Sequence, residues 1–298
     1  MTPIIKWAGG KTVVLPKIID LIPDSEAFDT YVEPFIGGGA VFLWALENRP
    51  NFKRFIINDL NENLYNLYTI MRDKPEEFLV EIDHLENAFN FSRDKQEVYT
   101  ALRNEYNASL GAQNVRMAAL FVALNKTCFN GLYRVNGSGQ FNVPFNHTKR
   151  DNLVFVDRDN FEKISGAMQN VEVMNVSFEK IDFKLKNAFY YVDPPYRPVK
   201  DDSFVDYTKE SFGDIQQILL KNKLDAVHKS KSLFVLSNSY TDDGFFENLY
   251  KKYELDIINV PRRINSKGDA RGEVKEILVH NDLKKKSAKV IKQESGLF

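Results

Sequence analysis

The chain of 298 residues has one cysteine, Cys128, so no disulfide can form within it, and this usage predicts a reducing compartment. Long apolar runs are also missing. Stretches such as Ala118 to Leu124 fall far short of the roughly 18 residues that span a bilayer. The opening Met1-Thr2-Pro3-Ile4-Ile5-Lys6-Trp7 has neither the basic start nor the apolar stretch of a signal peptide. These absences predict a cytoplasmic protein with no membrane partner. The four histidines, His84, His147, His228 and His280, show no ligand spacing, so no metal is expected. With 43% hydrophobic and 27% charged residues, the composition excludes disorder and a fibrous repeat. At about 150 residues per domain, the length suggests one large domain or one with a substantial insert.

Acidic residues are absent between Glu105 and Asp151, where Arg116, Lys126, Arg134, Lys149 and Arg150 give a charge of +5 on a chain of net charge −1. Phe129, Tyr133, Phe141 and Phe145 are interleaved with these cations, the mixture expected where phosphates and bases are touched together. Arg262, Arg263, Lys267 and Arg271 form a second basic cluster, and Lys284 to Lys292 a third that reads as a solvated tail.

Residues 28 to 59 read as strand, glycine turn, helix, strand, the start of a βαβ unit. From Leu60 the period becomes helical after a cap at Asp59 or Asn61, and helices are expected over Pro75 to Phe89, Lys95 to Tyr106 and Val115 to Leu124. Leu132 to Val135 and Gln140 to Val143, around Asn136-Gly137-Ser138-Gly139, read as a β-hairpin. Strands resume at Val171 to Met174, Ala188 to Val192, Leu233 to Leu236, Tyr253 to Val260 and Glu273 to His280, with a helix over Gly213 to His228. The pattern predicts a doubly wound α/β domain interrupted once.

Three motifs carry chemistry. In Tyr31-Val32-Glu33-Pro34-Phe35-Ile36-Gly37-Gly38-Gly39, glycines at a strand end let a ligand approach the backbone. The dinucleotide fingerprint is excluded because its third glycine would be Phe42. Asp59, 20 residues past Gly39, can hold ribose hydroxyls, so a nucleoside without a pyrophosphate fits, S-adenosylmethionine above all. A bare tight turn and a helix cap are the structural alternatives. In Lys6-Trp7-Ala8-Gly9-Gly10-Lys11-Thr12 a phosphate loop is excluded, since Ile5 stands where glycine is needed. Lys11 could meet a carboxylate and Trp7 wall a pocket, the alternatives being a surface lysine and a buried structural tryptophan.

Asp193-Pro194-Pro195-Tyr196 follows the apolar run Phe189 to Val192. The exocyclic amine of a base is a poor nucleophile because its lone pair is delocalised. A carboxylate and a backbone carbonyl accepting its two hydrogens favour a pyramidal nitrogen, and Asp193 with the Pro194 carbonyl can supply them. The prolines lock φ, and Tyr196 can stack on a base taken out of the helix. A rigid strand-end turn is the alternative.

With these residues the chain resembles the Dam family of N6-adenine DNA methyltransferases in its motif order of Lys-Trp box, glycine motif, target-recognition insert and Asp-Pro-Pro-Tyr. The resemblance covers nearly the whole chain and includes Asn130-Gly131-Leu132-Tyr133-Arg134 and Phe141-Asn142-Val143-Pro144-Phe145. After Phe145 the family usually has glycine, and Asn146 stands here. The resemblance implies a Rossmann-like S-adenosylmethionine-dependent methyltransferase sheet, with a catalytic domain of 1–60 and 151–298. It implies an inserted target-recognition domain of 61–150, mostly helical with a β-hairpin. Trp7, Lys11, Asp59 and Asp193 would line the cofactor pocket, with Glu33, Phe35, Gly37 and Gly39 nearby. Asp193, Pro194 and Tyr196 would be catalytic. Leu132 and Arg134 would read bases, Lys6 would contact a base, and Phe129 would be a wedge beside the flipped adenine. Asn130, Lys126, Lys149, Arg150, Arg262 and Arg263 complete the expected DNA-binding set. The implied reaction is methyl transfer to N6 of adenine in double-stranded DNA, within GATC, by a monomer, with a restriction endonuclease for the same site as a candidate partner. N4-cytosine or RNA-base methylation on the same fold, and a catalytically silent DNA-binding protein, are the competing readings. C5-cytosine chemistry is disfavoured because Thr127, not proline, precedes Cys128.

Overall fold

The computed structural model describes residues 1–148, 150–197, 212–261 and 273–281. Its elements in chain order are α1 (Leu15–Ile19), β1 (Thr30–Glu33), α2 (Ala40–Asn48), β2 (Arg54–Asn58), α3 (Glu62–Asp73), α4 (Pro75–Phe91), α5 (Lys95–Ala108) and α6 (Val115–Thr127). There follow α7 (Arg158–Ala167), β3 (Val171–Met174), β4 (Ala188–Val192), α8 (Asp214–Lys229), β5 (Leu233–Ser239), α9 (Phe245–Leu249), β6 (Glu254–Pro261) and β7 (Glu273–His280). The seven strands are ordered β3-β2-β1-β4-β5-β7-β6. The pairs β2·β3, β1·β4 and β4·β5 are parallel, and β7 runs antiparallel to both β5 and β6. This is the Rossmann-like α/β sheet expected, with strand order reversing between β1 and β4, the place where such sheets open a crevice beyond their carboxyl ends.

Two compact units make up the chain. The first comprises Met1–Thr12, Ile36–Pro50 and Arg54–Val176, and the second Val13–Phe35, Asn51–Lys53 and Ser177–Phe298. Residues 61–150 lie wholly within the first.

In the first unit the helices start where side chains satisfy the orphan amides of the first turn. Asn61, rather than Asp59, caps α3 by accepting from Asn63 N, Asp94 caps α5, Asn114 caps α6 and Asp157 caps α7. Pro75 opens α4, a position where its missing N–H costs nothing. The apolar stretch of α6 is buried nearly all round, from Met117 to Asn125, and packs against α3, α4 and α5.

The expected hairpin is reduced. Between 132 and 143 one isolated antiparallel bridge, Val135 with Phe141, replaces two paired strands. Backbone bonds from Asn142 N to Arg134 O at 3.1 Å and from Asn136 N to Gln140 O at 2.8 Å join the two arms, and side chains add to them. Asn107 Nδ2 donates to Phe141 O at 3.0 Å and Asn107 Oδ1 accepts from Phe141 N at 2.8 Å, a pairing that imitates a strand neighbour. The Tyr99 hydroxyl donates to Val143 O at 2.6 Å. At the tip, Asn136 Oδ1 accepts from Ser138 N and Gln140 N, and Gly139 takes a φ of +77°. At Asn146, where the family's glycine is missing, the side chain accepts from Thr148 N at 2.9 Å, and the positive φ falls on His147 at +53°.

In the second unit all four residues of β1 and all five of β4 are buried. The near-continuous apolar run of β4 is what a parallel strand covered on both faces requires.

Candidate functional site

In the first unit the Lys-Trp segment, the glycine turn, the end of β2 and the hairpin meet. Gly37 has a φ of +48°, and a Cβ there would lie 2.9 Å from Trp7 Cδ1, so only glycine admits the indole. At Gly38 a Cβ would lie 3.1 Å from Trp7 Cβ. Asp59, directly after β2, fastens the turn: its Oδ2 accepts from Gly37 N at 3.0 Å and its Oδ1 from Asn61 N at 2.9 Å. Burial raises the Asp59 pKa and the backbone hydrogen bonds oppose the rise. The Tyr68 hydroxyl donates to Gly37 O at 3.1 Å, and Gly39 caps α2 at a φ of +73°. Lys11 is buried, at 4% exposure, and its ammonium donates to Gly9 O at 2.8 Å, so it is no surface lysine. Trp7 is half-buried between the turn and the hairpin, stacked on Tyr133 with centroids 5.5 Å apart and planes at 26°.

The hairpin side of this unit begins at Lys6. Lys6 N donates to Asn125 Oδ1 at 2.9 Å, and Asn125 Nδ2 donates to Lys6 O at 2.8 Å and Gly131 O at 2.9 Å. The exposed Lys6 stem crosses Gly131, where a Cβ would lie 2.7 Å from Lys6 Cδ. Lys126 is half-buried, and burial, then the charge of Lys6, lowers its pKa. Such a pair of cations is relieved by an anion. Phe129 is 46% exposed, and Asn130 beside it has a φ of +56°. Leu132 is half-buried. Arg134 is exposed, and its Nε donates to Asn142 Oδ1 at 2.8 Å, which holds the guanidinium across the turn. Arg150 is exposed. Lys149, Arg262 and Arg263 lie outside the described residues.

Several expectations for the basic segment need correction. Arg116 is spent internally: its Nε donates to Glu105 at 2.7 Å and its Nη1 to Glu81 at 2.9 Å. Phe141 and Phe145 are buried at 3% and 5%, and Tyr133 is half-buried against Trp7, so of the four interleaved aromatics Phe129 alone is exposed. Cys128 is buried, and burial pushes its thiol up to about 11, away from the thiolate that nucleophilic chemistry needs.

In the second unit β1 and β4 pair in parallel, Val32 beside Tyr190, so Glu33 and the Asp193 motif leave neighbouring strands at the same end. Glu33 is buried at 2% and accepts from the Tyr31 hydroxyl. Burial raises the Tyr191 pKa, and the charges of Asp193 and Glu33 add to the rise. Asp193 and Tyr196 are half-buried and Pro194 is buried. Phe35 packs on Phe178 and Phe212 at 5.7 and 5.6 Å.

Sequence reasoning missed Arg197. Its Nε donates to Asp214 at 2.6 Å, its Nη1 to Asp243, and its guanidinium lies 4.1 Å from the Phe245 ring centroid. Arg197 holds the Asp243 carboxyl down to about 2. These partners are 17 and 46 residues away, so no local pattern announces them. Asn142, eight residues from Arg134, was findable by pairing residues across the turn.

A family model described as D12 class N6 adenine-specific DNA methyltransferase matches residues 7–265. Type II methyltransferase M.MjaIII of Methanocaldococcus jannaschii is 37% identical over 94% of this chain and 98% of its own. Type II methyltransferase M1.LlaDCHI of Lactococcus lactis subsp. cremoris is 36% identical over 94% and 95%. The DNA adenine methylase of Haemophilus influenzae is 30% identical over 93% and 92%.

Proposed function

Because the chain belongs to the D12 class of N6 adenine-specific DNA methyltransferases, which draw their methyl group from S-adenosylmethionine, we propose that it methylates adenine N6 within GATC in duplex DNA, on a base flipped from the helix. The observation that carries this reading is Asp193-Pro194-Pro195-Tyr196 directly after the buried strand β4, where strand order reverses beside β1. The residues present fit the cofactor. Within one compact unit there is a glycine turn free of Cβ atoms, a part-buried carboxylate at Asp59 and a buried cation at Lys11. Asp59 suits ribose hydroxyls, Lys11 suits the carboxylate of the amino-acid moiety, and Trp7 offers an apolar wall; in the second unit Phe35 offers an apolar surface. Glu33 adds a buried carboxylate to the second unit. Bound there, the cofactor supplies an electrophilic sulfonium methyl.

The chain's own residues ready the acceptor. Asp193 and the Pro194 carbonyl each accept a hydrogen bond from one N–H of the N6 amine, which localises its lone pair for in-line attack; one of the two protons is lost once the methyl group is in place. Tyr196 stacks on the base, and Phe129 fills the gap left in the duplex. Leu132 and Arg134 read bases, Lys6 touches a base at the edge of the site, and Asn130, Lys126 and Arg150 hold the backbone. A bidentate contact from Arg134 to guanine would contribute about 1–3 kcal/mol of discrimination. A monomer suffices for a palindrome methylated one strand at a time, and the Type II names of two relatives support an endonuclease partner for the same site.

The test is incubation with unmethylated DNA and labelled S-adenosylmethionine, mass spectrometry of the digested nucleosides, and single-molecule sequencing for position. N6-methyladenine confined to GATC is expected, with Asp193→Ala abolishing transfer while DNA binding persists. N6-methyladenine elsewhere overturns the target, and N4-methylcytosine or no product in DNA overturns the acceptor.

A further inference from the structure

Two routes in the first unit run from the glycine turn to one hairpin side chain, Tyr133. The first passes through Trp7, whose indole lies against Gly37 and Gly38 on one side and stacks on Tyr133 on the other. The second begins at the same Gly37, whose N–H is held by Asp59. Asp59 also holds Asn61 N, Asn61 Oδ1 accepts from Asn63 Nδ2 at 3.1 Å, and Asn63 Nδ2 donates to the Tyr133 hydroxyl at 3.1 Å. The Phe121 ring meets Tyr133 edge-on, with centroids 5.8 Å apart. Face, edge and hydroxyl of Tyr133 are therefore each fixed by a different element, and Leu132 and Arg134 flank it in the chain.

We infer that Tyr133 is a positioning residue that couples the two ligands: it transmits occupancy of the glycine turn to Leu132 and Arg134, so that cofactor and cognate DNA bind cooperatively. This rests on the assignment of the turn to cofactor and the hairpin to DNA made above. A cofactor ordering the turn also orders Trp7, because its side chain is packed so closely on the turn that a Cβ at Gly37 or Gly38 would lie only 2.9 or 3.1 Å from it. Two hydrogen bonds through Asn61 and Asn63 carry the same restraint to the phenol. By linkage the effect is reciprocal, and DNA seated on the hairpin tightens cofactor binding by the same factor.

The experiment measures, on the full chain, the Kd of a duplex carrying the methylated site with and without saturating S-adenosylhomocysteine, and the Kd of S-adenosylhomocysteine with and without that duplex. In the unaltered protein each affinity rises by at least about fivefold when the other ligand is present, the lower end of ordinary coupling. Tyr133→Leu brings both factors below about twofold, and Tyr133→Phe, which keeps the stack and loses the Asn63 bond, falls between. A purely structural tyrosine would lower thermal stability and both affinities while leaving the factors equal to each other and unchanged. Unchanged factors in Tyr133→Leu, or none in the unaltered protein, overturn the inference. If Tyr133→Leu does not fold, Asn63→Ala cuts one route and must lower the factor. A protein that methylates DNA without coupling defeats this inference alone, whereas one that binds no S-adenosylhomocysteine defeats the functional reading beneath it.

Discussion

A Cβ at Gly39 would stand 2.5 Å from the Tyr68 hydroxyl, and the residue's φ of +73° is one that side chains rarely adopt. Gly39→Ala therefore carries backbone strain and a collision, together about 1–3 kcal/mol, and should lower the Tm. The collision is with the group that donates to Gly37 O. Tyr68→Phe removes that group at a cost of about 1 kcal/mol. Because clash and hydrogen bond share one oxygen, the double variant should lose less than the sum of the singles, by about 0.5 kcal/mol or more, in denaturant melts. Strict additivity would refute the contact. Asp59 shows the same economy of placement, since one carboxylate fixes the turn through Gly37 and the start of α3 through Asn61.

At the scale of elements, Arg197 joins three pieces of the second unit: the segment that follows Asp193, the start of α8 at Asp214, and the entry to α9 at Asp243 and Phe245. A planar guanidinium satisfied by two carboxylates and a ring face holds direction as well as charge. Arg197→Ala should slow single-turnover methyl transfer about tenfold or more while cofactor and DNA affinities stay within about threefold, and Arg197→Lys, which keeps charge without the fork, should recover part of the rate. Equal rates in Arg197→Ala and the unaltered protein would make the cluster structural. Sequence made some of these elements legible and not others. The strand β4 showed itself because Phe189 to Val192 is uninterrupted, and α6 because its apolar run is too long for a strand. Helix α7 escaped notice because it buries little beyond Phe161 and Ile164, and α9 because five residues carry no period. The hairpin was read as two strands from its turn chemistry, but its arms share one bridge and two backbone bonds, and much of its second arm is held by Asn107 and Tyr99, more than 30 residues away in sequence.

For the whole molecule, a net charge of −1 conceals an uneven distribution, and the structure sharpens it by separating cations that face outward from one that does not. Arg116 is held by Glu81 and Glu105, and at 40% exposure that pairing contributes only modestly to stability. Among the described residues no carboxylate pairs with Lys126, which is half-buried near the charge of Lys6, and Arg150 is exposed. Each cation that neutralises a phosphate adds about 0.9 to the slope of log affinity against log salt. Lys126→Gln and Arg150→Gln should each flatten that slope by up to about 0.9, whereas Arg116→Gln should leave it unchanged and lower the Tm instead. Titration of duplex DNA from about 50 to 200 mM salt separates the two classes. A flattened slope for Arg116→Gln would mean that its carboxylate partners release it to DNA, and the cationic surface would then extend along the face of α6 that the ion pairs now close.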